Sequence, residues 1–326
     1  MPTRVHFQRL VERTRVLPPL RTGIVFPVEP DALQVALSGA FAGYLAPVLI
    51  GPETRIRDAA NRAGLDISRL EIVDTPDEPR SAATRAAQLA REGHLEALVK
   101  GNLGNEDLFS PIAAHDSGLR GETRLSHAMF VDVPGFPRGL VVADAQLNIS
   151  PNLAAKRDIL VNTLTLTHAL GMAIPNVALL AAVDGPAPAF PSTAEAVALK
   201  SMAAQGLFGK VVVDGPLTPD LALSPDAARA LGVRGEIQGS ADVLLAPTME
   251  AAIMVVRTLT GITGGMATGV VLGAKVPVVA ARRSDSMEVQ MAACVLAMLV
   301  VASQRMKASA NSQQPNGPAT RPRVAA

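Results

Sequence analysis

Apolar runs of strand length alternate with amphipathic segments of helix length almost from end to end of this chain, and few folds satisfy that pattern. A strand written as an unbroken aliphatic run has both faces covered, and parallel neighbours need crossover connections, usually helices. The alternation therefore predicts an α/β protein with mostly parallel sheets covered by helices on both faces, three layers in all. Strands are expected at 23–28, 46–50, 70–74, 97–100, 127–132, 139–143, 177–181, 210–214, 243–246, 270–273 and 276–280. So many strands exceed what one open sheet comfortably holds, which predicts two sheets with an interdomain cleft. Residues 118–124, GLRGETR, read as the break between them. Pro30 and Pro52 fall where helices should start, and Gly93, Gly171 and Gly206 where they should end. Ser192 and Thr193 read as caps of the helix through Met202, and Asp214-Gly215-Pro216 as a turn.

A chain of 326 residues makes one large or two ordinary domains. With 48% hydrophobic residues but only eight Phe, one Tyr and no Trp, its core must be aliphatic. Formal net charge is +1, from 30 basic and 29 acidic residues, and basic and aromatic residues are not interleaved. Neither a nucleic-acid nor a membrane partner is expected. Cys294 is the single cysteine, which excludes an intrachain disulfide framework and fits a reduced compartment; beside Met291, Val295 and Met298 it reads as a packing residue. Arg4, Arg9, Arg13 and Arg15 are not followed by the apolar stretch of a signal peptide, and the apolar run 291–302 is short for a bilayer. A cytoplasmic protein is expected. Residues 306–326, without periodicity, are expected to be disordered.

Open α/β sheets bind ligands where strands end, and four patches set polar groups at such ends. One is Lys100-Gly101-Asn102, where glycine lets backbone approach a ligand and the lysine offsets anionic charge. Arg120, Arg124, Ser126 and His127 form the second, at the domain break. The third runs from Ala143 to Asn148 after an aliphatic strand, carrying Asp144, Gln146 and Asn148, with Lys156 in the helix that follows. The last is Arg282, Arg283, Ser284, Asp285 and Ser286, beyond the strands of residues 242–280. Asp285 with Glu288 three positions on has the form of a capping box. Two guanidiniums beside a helix N-terminus favour an anion such as phosphate.

Each patch also has a plainer reading, which the sequence leaves open. Lys100 can be a strand-end solvating group, His127 a satisfied core histidine, and Asp144 with Asn148 an Asx turn capping the helix after Pro151. Several standard sites are missing: no G-x-G-x-x-G after the first strand, no G-x-x-x-x-G-K-[ST], no G-x-S-x-G. His6, His94, His115, His127 and His168 are scattered, without the spacing of a zinc site. No metal is expected, and no nucleophile is set for a covalent intermediate.

With those residues in view, the chain resembles the phosphate acetyltransferase and phosphate butyryltransferase family over about residues 17–303. The likeness is carried by VLIGPETRI, ALVKGNL, GLRGETRLSHAMFVDVPGFP, ADAQLNISPNLAAKRDILVNTL, VALLAAVDGPAPAFPSTAEA, VVVDGPLTPDLALS, GSADVLLAP and GVVLGAKVPVVAARRSDS. It implies two α/β domains of the isocitrate-dehydrogenase-like type, residues 1–123 with 270–305 forming one and 124–269 the other. It implies a homodimer, an interdomain active cleft, and reversible transfer of a short acyl group between coenzyme A and inorganic phosphate. Coenzyme A enters as a co-substrate and no bound cofactor is implied. Arg283 matches the family's phosphate-binding arginine; Arg283 with Arg124 is expected to hold phosphate, and Glu288 or Asp285 to act as base. Five places depart from the family pattern: Arg282 replaces its serine, Ala252-Ile253 its Gly-Asn, Arg257 its lysine, Gly104-Asn105-Glu106-Asp107 its His-Thr-Asp-Glu-like run after Lys-Gly, and Val289 the acetyltransferase branch's aspartate. Two rival readings remain: a metal- and nicotinamide-dependent dehydrogenase of the same architecture, and a non-catalytic relative that binds acyl-CoA or acyl phosphate.

Overall fold

The computed structural model describes residues 4–233 and 235–312. The first third of the chain forms α1 (Val5–Thr14), β1 (Leu20–Val25), α2 (Pro30–Phe41), β2 (Leu45–Gly51), α3 (Glu53–Ala63), β3 (Glu71–Asp74), α4 (Pro79–Arg91), β4 (Ala97–Lys100) and α5 (Asn105–Ala113). The middle adds β5 (Ser126–Asp132), β6 (Leu140–Ala143), α6 (Leu153–Ala169), β7 (Asn176–Leu180), α7 (Pro191–Ala204), β8 (Val212–Leu217), α8 (Pro219–Leu223) and α9 (Pro225–Ala230). The last part contains β9 (Val243–Leu245), α10 (Met249–Thr263), β10 (Met266–Leu272), β11 (Val278–Val279) and α11 (Met287–Ser312). Every expected strand is present, with ends shifted by a few residues.

The strands do not divide into two sheets. They form one of eleven strands, ordered β3-β2-β1-β4-β11-β10-β5-β6-β9-β7-β8. The expectation of two failed because β10 and β5 pair antiparallel along their whole lengths, Met266–Leu272 against Ser126–Asp132, and weld two parallel blocks edge to edge. Three antiparallel steps (β11 to β10, β10 to β5, β5 to β6) separate the blocks, so the blocks point in opposite directions. Register brings their inner ends together. Val278 faces Val271, which faces His127, while the adjoining Ala128 faces both Val270 and Ala143, the last residue of β6. The C-terminal ends of β11 and β6 thus arrive at one level of the sheet from opposite sides.

The core follows the same division. One cluster packs under β1, β2, β4 and β11 with Ile24, Leu49, Leu98 and Val278; two others cover the faces of the second block, around Val141, Val243 and Leu296 and around Val142, Leu244 and Leu221. Helix α1 sides with the second block through Phe7 and Leu10, and Arg13 donates to the carbonyls of Leu170 (2.7 Å) and Ala169 (2.8 Å) at the end of α6. Helix α11 lies between clusters, giving Cys294, Met298 and Val301 to one and Val295, Leu299 and Val300 to the other. A helix buried on opposite faces must be apolar all round, which explains its composition. It is long and apolar enough to cross a membrane, longer than the run 291–302 suggested, but 61% of that span is buried in the protein. Burial pushes the Cys294 thiol up to about 12, as a packing residue requires.

Other local expectations change. Residues 306–312 continue α11 as helix rather than joining a disordered tail; 313–326 lie outside the described residues. Asp214-Gly215-Pro216 is not a turn but part of β8, the sheet's edge strand, where a proline without an N–H is tolerated. A register shift opposite, between Ala178 and Leu180, absorbs it. Pro191 starts α7 after Phe190, so Ser192 and Thr193 lie inside the helix, and the Thr193 hydroxyl donates back to Phe190 (2.8 Å). Asn152 caps α6, its side-chain oxygen accepting from Ala155 N at 3.0 Å. Asn152→Ala should cost about 1 kcal/mol in urea unfolding; an unchanged midpoint would show the cap to be dispensable.

Candidate active site

Two loops leave the converging strand ends and build the site. After β6, Asp144 is buried and its Oδ1 accepts from the backbone N–H groups of Gln146 (2.8 Å) and Leu147 (3.0 Å). Its Oδ2 accepts from Asn148 Nδ2 at 2.5 Å. Asn148 also donates to the Leu125 carbonyl (3.0 Å) and accepts from Arg124 Nη1 (3.3 Å). The Asx turn is therefore real, but it shapes this loop and ties it to Arg124; Asn152 caps the helix beyond.

After β11, the segment from Arg282 to Ser286 closes on itself. Asp285 N donates to the Arg282 carbonyl at 3.0 Å, and its carboxylate receives Arg282 N (2.9 Å) and Nε (3.1 Å). The proposed capping box does not form, because Arg282 claims Asp285 and Arg4 forms an ion pair with Glu288. Ser286 takes the capping place: its carbonyl accepts from Gln290 N at 3.1 Å and its Oγ faces Val289 N at 3.4 Å. The two loops meet where Gln146 Nε2 donates to the Ala280 carbonyl at 3.2 Å.

Between them opens a cleft of about 490 Å³. Met249, Ile253, Val256, Arg257 and Thr260 of α10 form one wall, at the spacing of a single helical face. Opposite are Arg282, Ser284, Asp285, Ser286 and Val289, with Ala267, Thr268 and Gly269 of β10, His127, Gln146, Asn105 and Arg4 closing the rest. His127 is buried, and its Nδ1 has no hydrogen-bond partner. Burial lowers its pKa to about 4 against the opposing pull of Asp144 and Asp285.

Lys100 reaches this cleft through Asn105, to whose Oδ1 it donates at 2.9 Å. Partial burial lowers its pKa, and the neighbouring Arg283 guanidinium lowers it further. Among the described residues no carboxylate pairs with Arg283 or Arg257, so both cations are uncompensated. Gly101 packs where a Cβ would fall against the Val25 and Phe26 carbonyls, which holds Lys100 at the strand end.

Not every expected residue gathers here. Arg120 is exposed at an isolated bridge with Ala274. Ser126 is buried and accepts from Asn162 Nδ2 at 2.8 Å. Lys156 is committed to Glu195 in an ion pair, and Glu288 stands just outside the wall that Val289 forms. Sequence reading missed Arg4 and the α10 face as a wall of the site, whereas Gln146 lay inside the third patch. The α10 periodicity was visible in the sequence, whereas nothing local could tie Arg4 to a site more than 250 residues away. Among the described residues no cluster of three His, Cys, Asp or Glu side chains could hold a metal ion.

Comparison with known proteins shows the family. A sequence model of the family described as "Phosphate acetyl/butaryl transferase" matches residues 79–298. The chain is 40% identical to a phosphate acetyltransferase of Rhizobium meliloti over 299 residues, 92% of this chain and 94% of that one. It is 31% identical to a phosphate butyryltransferase of Clostridium beijerinckii, over 91% of this chain and 98% of that one. Among solved structures, a branched-chain phosphotransacylase from Enterococcus faecalis V583 superposes with a TM-score of 0.75 at 27% identity, covering 86% of this chain and 99% of that one. Each of the five departures that the resemblance marks has a residue in the cleft lining: Asn105, Ile253, Arg257, Arg282 and Val289.

Proposed function

The chain belongs to the phosphate acetyl/butyryl transferase family, and from that membership we propose that the cleft at the converging strand ends is where it exchanges an acyl group between coenzyme A and phosphate. It is an acyltransferase. The reading is carried by one observation: two cations that pair with no carboxylate among the described residues flank the cleft, Arg257 in its α10 wall and Arg283 beside Lys100, between the lining residues Arg282 and Ser284. Such a site suits a leaving phosphate beside a short acyl chain. The dehydrogenase and non-catalytic readings are not favoured by relatives that match nine-tenths of the chain and are named for acyl transfer.

Direct displacement follows from the residues present. The thiol of coenzyme A attacks the carbonyl of an acyl phosphate, phosphate leaves, and the reverse uses the same groups. Arg283 and Lys100 hold the phosphate oxygens through charge-assisted bonds, with the free N–H groups at the start of α11, near Ser286 and Ser284, adding to their field. Arg124, fixed by Asn148 and through it by Asp144, extends that field from the other loop. Arg120 is kept as an outlying contact for the long coenzyme. Asp285, in the cleft wall, takes the thiol proton, whereas Glu288 serves Arg4. Asp285→Asn should therefore slow turnover roughly 10²-fold, and Glu288→Gln should leave it within about threefold; the opposite order would give the base to Glu288.

The acyl group is short: acetyl, propionyl or butyryl. Incubating acetyl, propionyl and butyryl phosphates with coenzyme A should form thioester with at least one of them, and thioester from none would return the non-catalytic reading. We further assign residues 1–123 with 270–305 and residues 124–269 to separate domains, and propose a cytoplasmic homodimer. Exposed Met254 and Ile262 on α10 supply apolar surface for pairing. Light scattering giving a monomer mass would reject the dimer.

A further inference from the structure

We infer that His127 is a catalytic hydrogen-bond donor for acyl transfer, its Nε2–H directed at the carbonyl oxygen of the acyl group. The inference rests on the cleft being the acyl-transfer site, and it starts from an imidazole for which the sequence left a functional and a satisfied-core reading open. Nδ1 of His127 is sealed inside the protein without a partner, one of two such side-chain atoms among the described residues. A buried orphan N–H is rarer and more costly than a buried orphan acceptor, so Nδ1 carries the lone pair and the single proton of the neutral ring sits on Nε2. The Cε1–Nε2 edge lies over Gly269, where an added Cβ would come within 2.5 Å of both atoms. Gly269 is itself part of the cleft lining, as is His127. The missing side chain at 269 is what leaves that edge of the ring at the cleft surface.

The ring is also held neutral. Burial keeps its pKa near 4, far below neutral pH, although Asp144 and Asp285 both favour the charged form. A neutral imidazole that already bears its proton on the cleft-facing nitrogen is poorly suited to remove one from a thiol. It is well suited to donate a hydrogen bond to an oxygen that gains charge.

The step balances as follows. The sulfur of coenzyme A forms a bond to the carbonyl carbon of the acyl phosphate, and the carbonyl π pair moves onto oxygen. His127 Nε2–H stabilises that oxyanion without giving up its proton. The pair then returns, the bond from carbon to the phosphate oxygen breaks, and phosphate leaves with its electrons. The thiol proton passes through Asp285 to the departing phosphate. Asp285 and His127 thus have separate duties: one handles the proton, the other the developing charge.

Three variants and one spectrum test this. His127→Phe keeps the ring volume and removes the donor, and kcat should fall roughly 10²-fold, as for loss of one oxyanion donor, with KM for coenzyme A nearly unchanged. His127→Gln, whose amide N–H can reach a similar point, should recover a substantial part of that loss, and His127→Glu, which offers an acceptor instead, should not. In the wild-type protein, nitrogen-15 NMR of the ring should show a protonated Nε2 and an unprotonated Nδ1 at neutral pH. Full activity of His127→Phe, or the tautomer with the proton on Nδ1, would overturn the assignment, the latter favouring a base at Nε2 instead. The NMR reading needs no variant to fold. Activity of the wild type separates the two claims: an inactive wild type refutes the acyl-transfer reading, whereas an active wild type with an indifferent His127→Phe refutes only this one.

Discussion

Arg283→Ala should raise KM for phosphate or lower turnover by roughly 10²-fold, while shifting unfolding free energy by no more than about 0.5 kcal/mol. Both halves follow from how the residue stands in the fold. Arg283 is exposed at the end of β11, and among the described residues no carboxylate pairs with it. Removing it breaks no ion pair and opens no cavity, so stability has little to lose. Its charge nevertheless acts on Lys100, whose pKa it lowers. Two like charges held together without a counter-ion repel until an anion arrives, and phosphate relieves that repulsion as well as filling both sets of donors. The comparison that separates this from general loss of positive charge is Arg257→Ala. Arg257, which stands where the resemblance puts a lysine, lines the cleft on α10. It is set on the wall rather than beside Lys100, so its removal should cost less than removal of Arg283. Equal effects from both would count against a phosphate subsite at the end of β11.

The second large effect is on acid stability. His127 titrates at about 4 in the folded protein against 6.5 for the ordinary side chain. Between those values the unfolded chain binds a proton that the native state refuses, so the stability this residue contributes is complete above pH 6.5 and is lost as pH falls toward 4. The loss is about 1.4 kcal/mol per pH unit across the window, about 3 kcal/mol in all. In His127→Gln that proton has nowhere to bind in either state. Its unfolding free energy should therefore decline less than wild type's, by about 2 kcal/mol between neutral pH and about pH 5. Parallel urea-unfolding curves for the two proteins across that range would mean that the imidazole is charged in the native state.

Much of the scaffold was legible in the residues because its signals are local. Runs such as LVVA at β6 and VLL at β9 are buried strands in themselves. Phosphate-binding expectation at residues 282–286 rested on strand, basic pair and helix start in succession, and that succession is how the chain runs. What was misjudged depended on partners far along the chain. Asp285 and Glu288 have the spacing of a capping box, but Arg282 takes the first and Arg4, at the other end of the sequence, the second. Sheet number was misjudged for a similar reason: nothing inside MATGVVL announces that it pairs with SHAMFVD rather than forming an edge. Pro216 has the composition of a turn and lies in a strand only because β8 is an edge. His127 shows the same limit, since its role depends on which nitrogen lacks a partner and on the bare Gly269 beside its Nε2 edge, neither of which is local in sequence.

The central claim, acyl exchange between coenzyme A and phosphate in this cleft, is tested most directly by measuring free thiol released from acetyl-, propionyl- and butyryl-coenzyme A with and without inorganic phosphate. Release from at least one thioester is expected, dependent on phosphate, saturating with it, and accompanied by an equal amount of acyl phosphate. Release independent of phosphate would mean water is the acceptor, and no release from any of the three by protein shown to be folded would mean the cleft binds without turning over; either result contradicts phosphate acyl transfer.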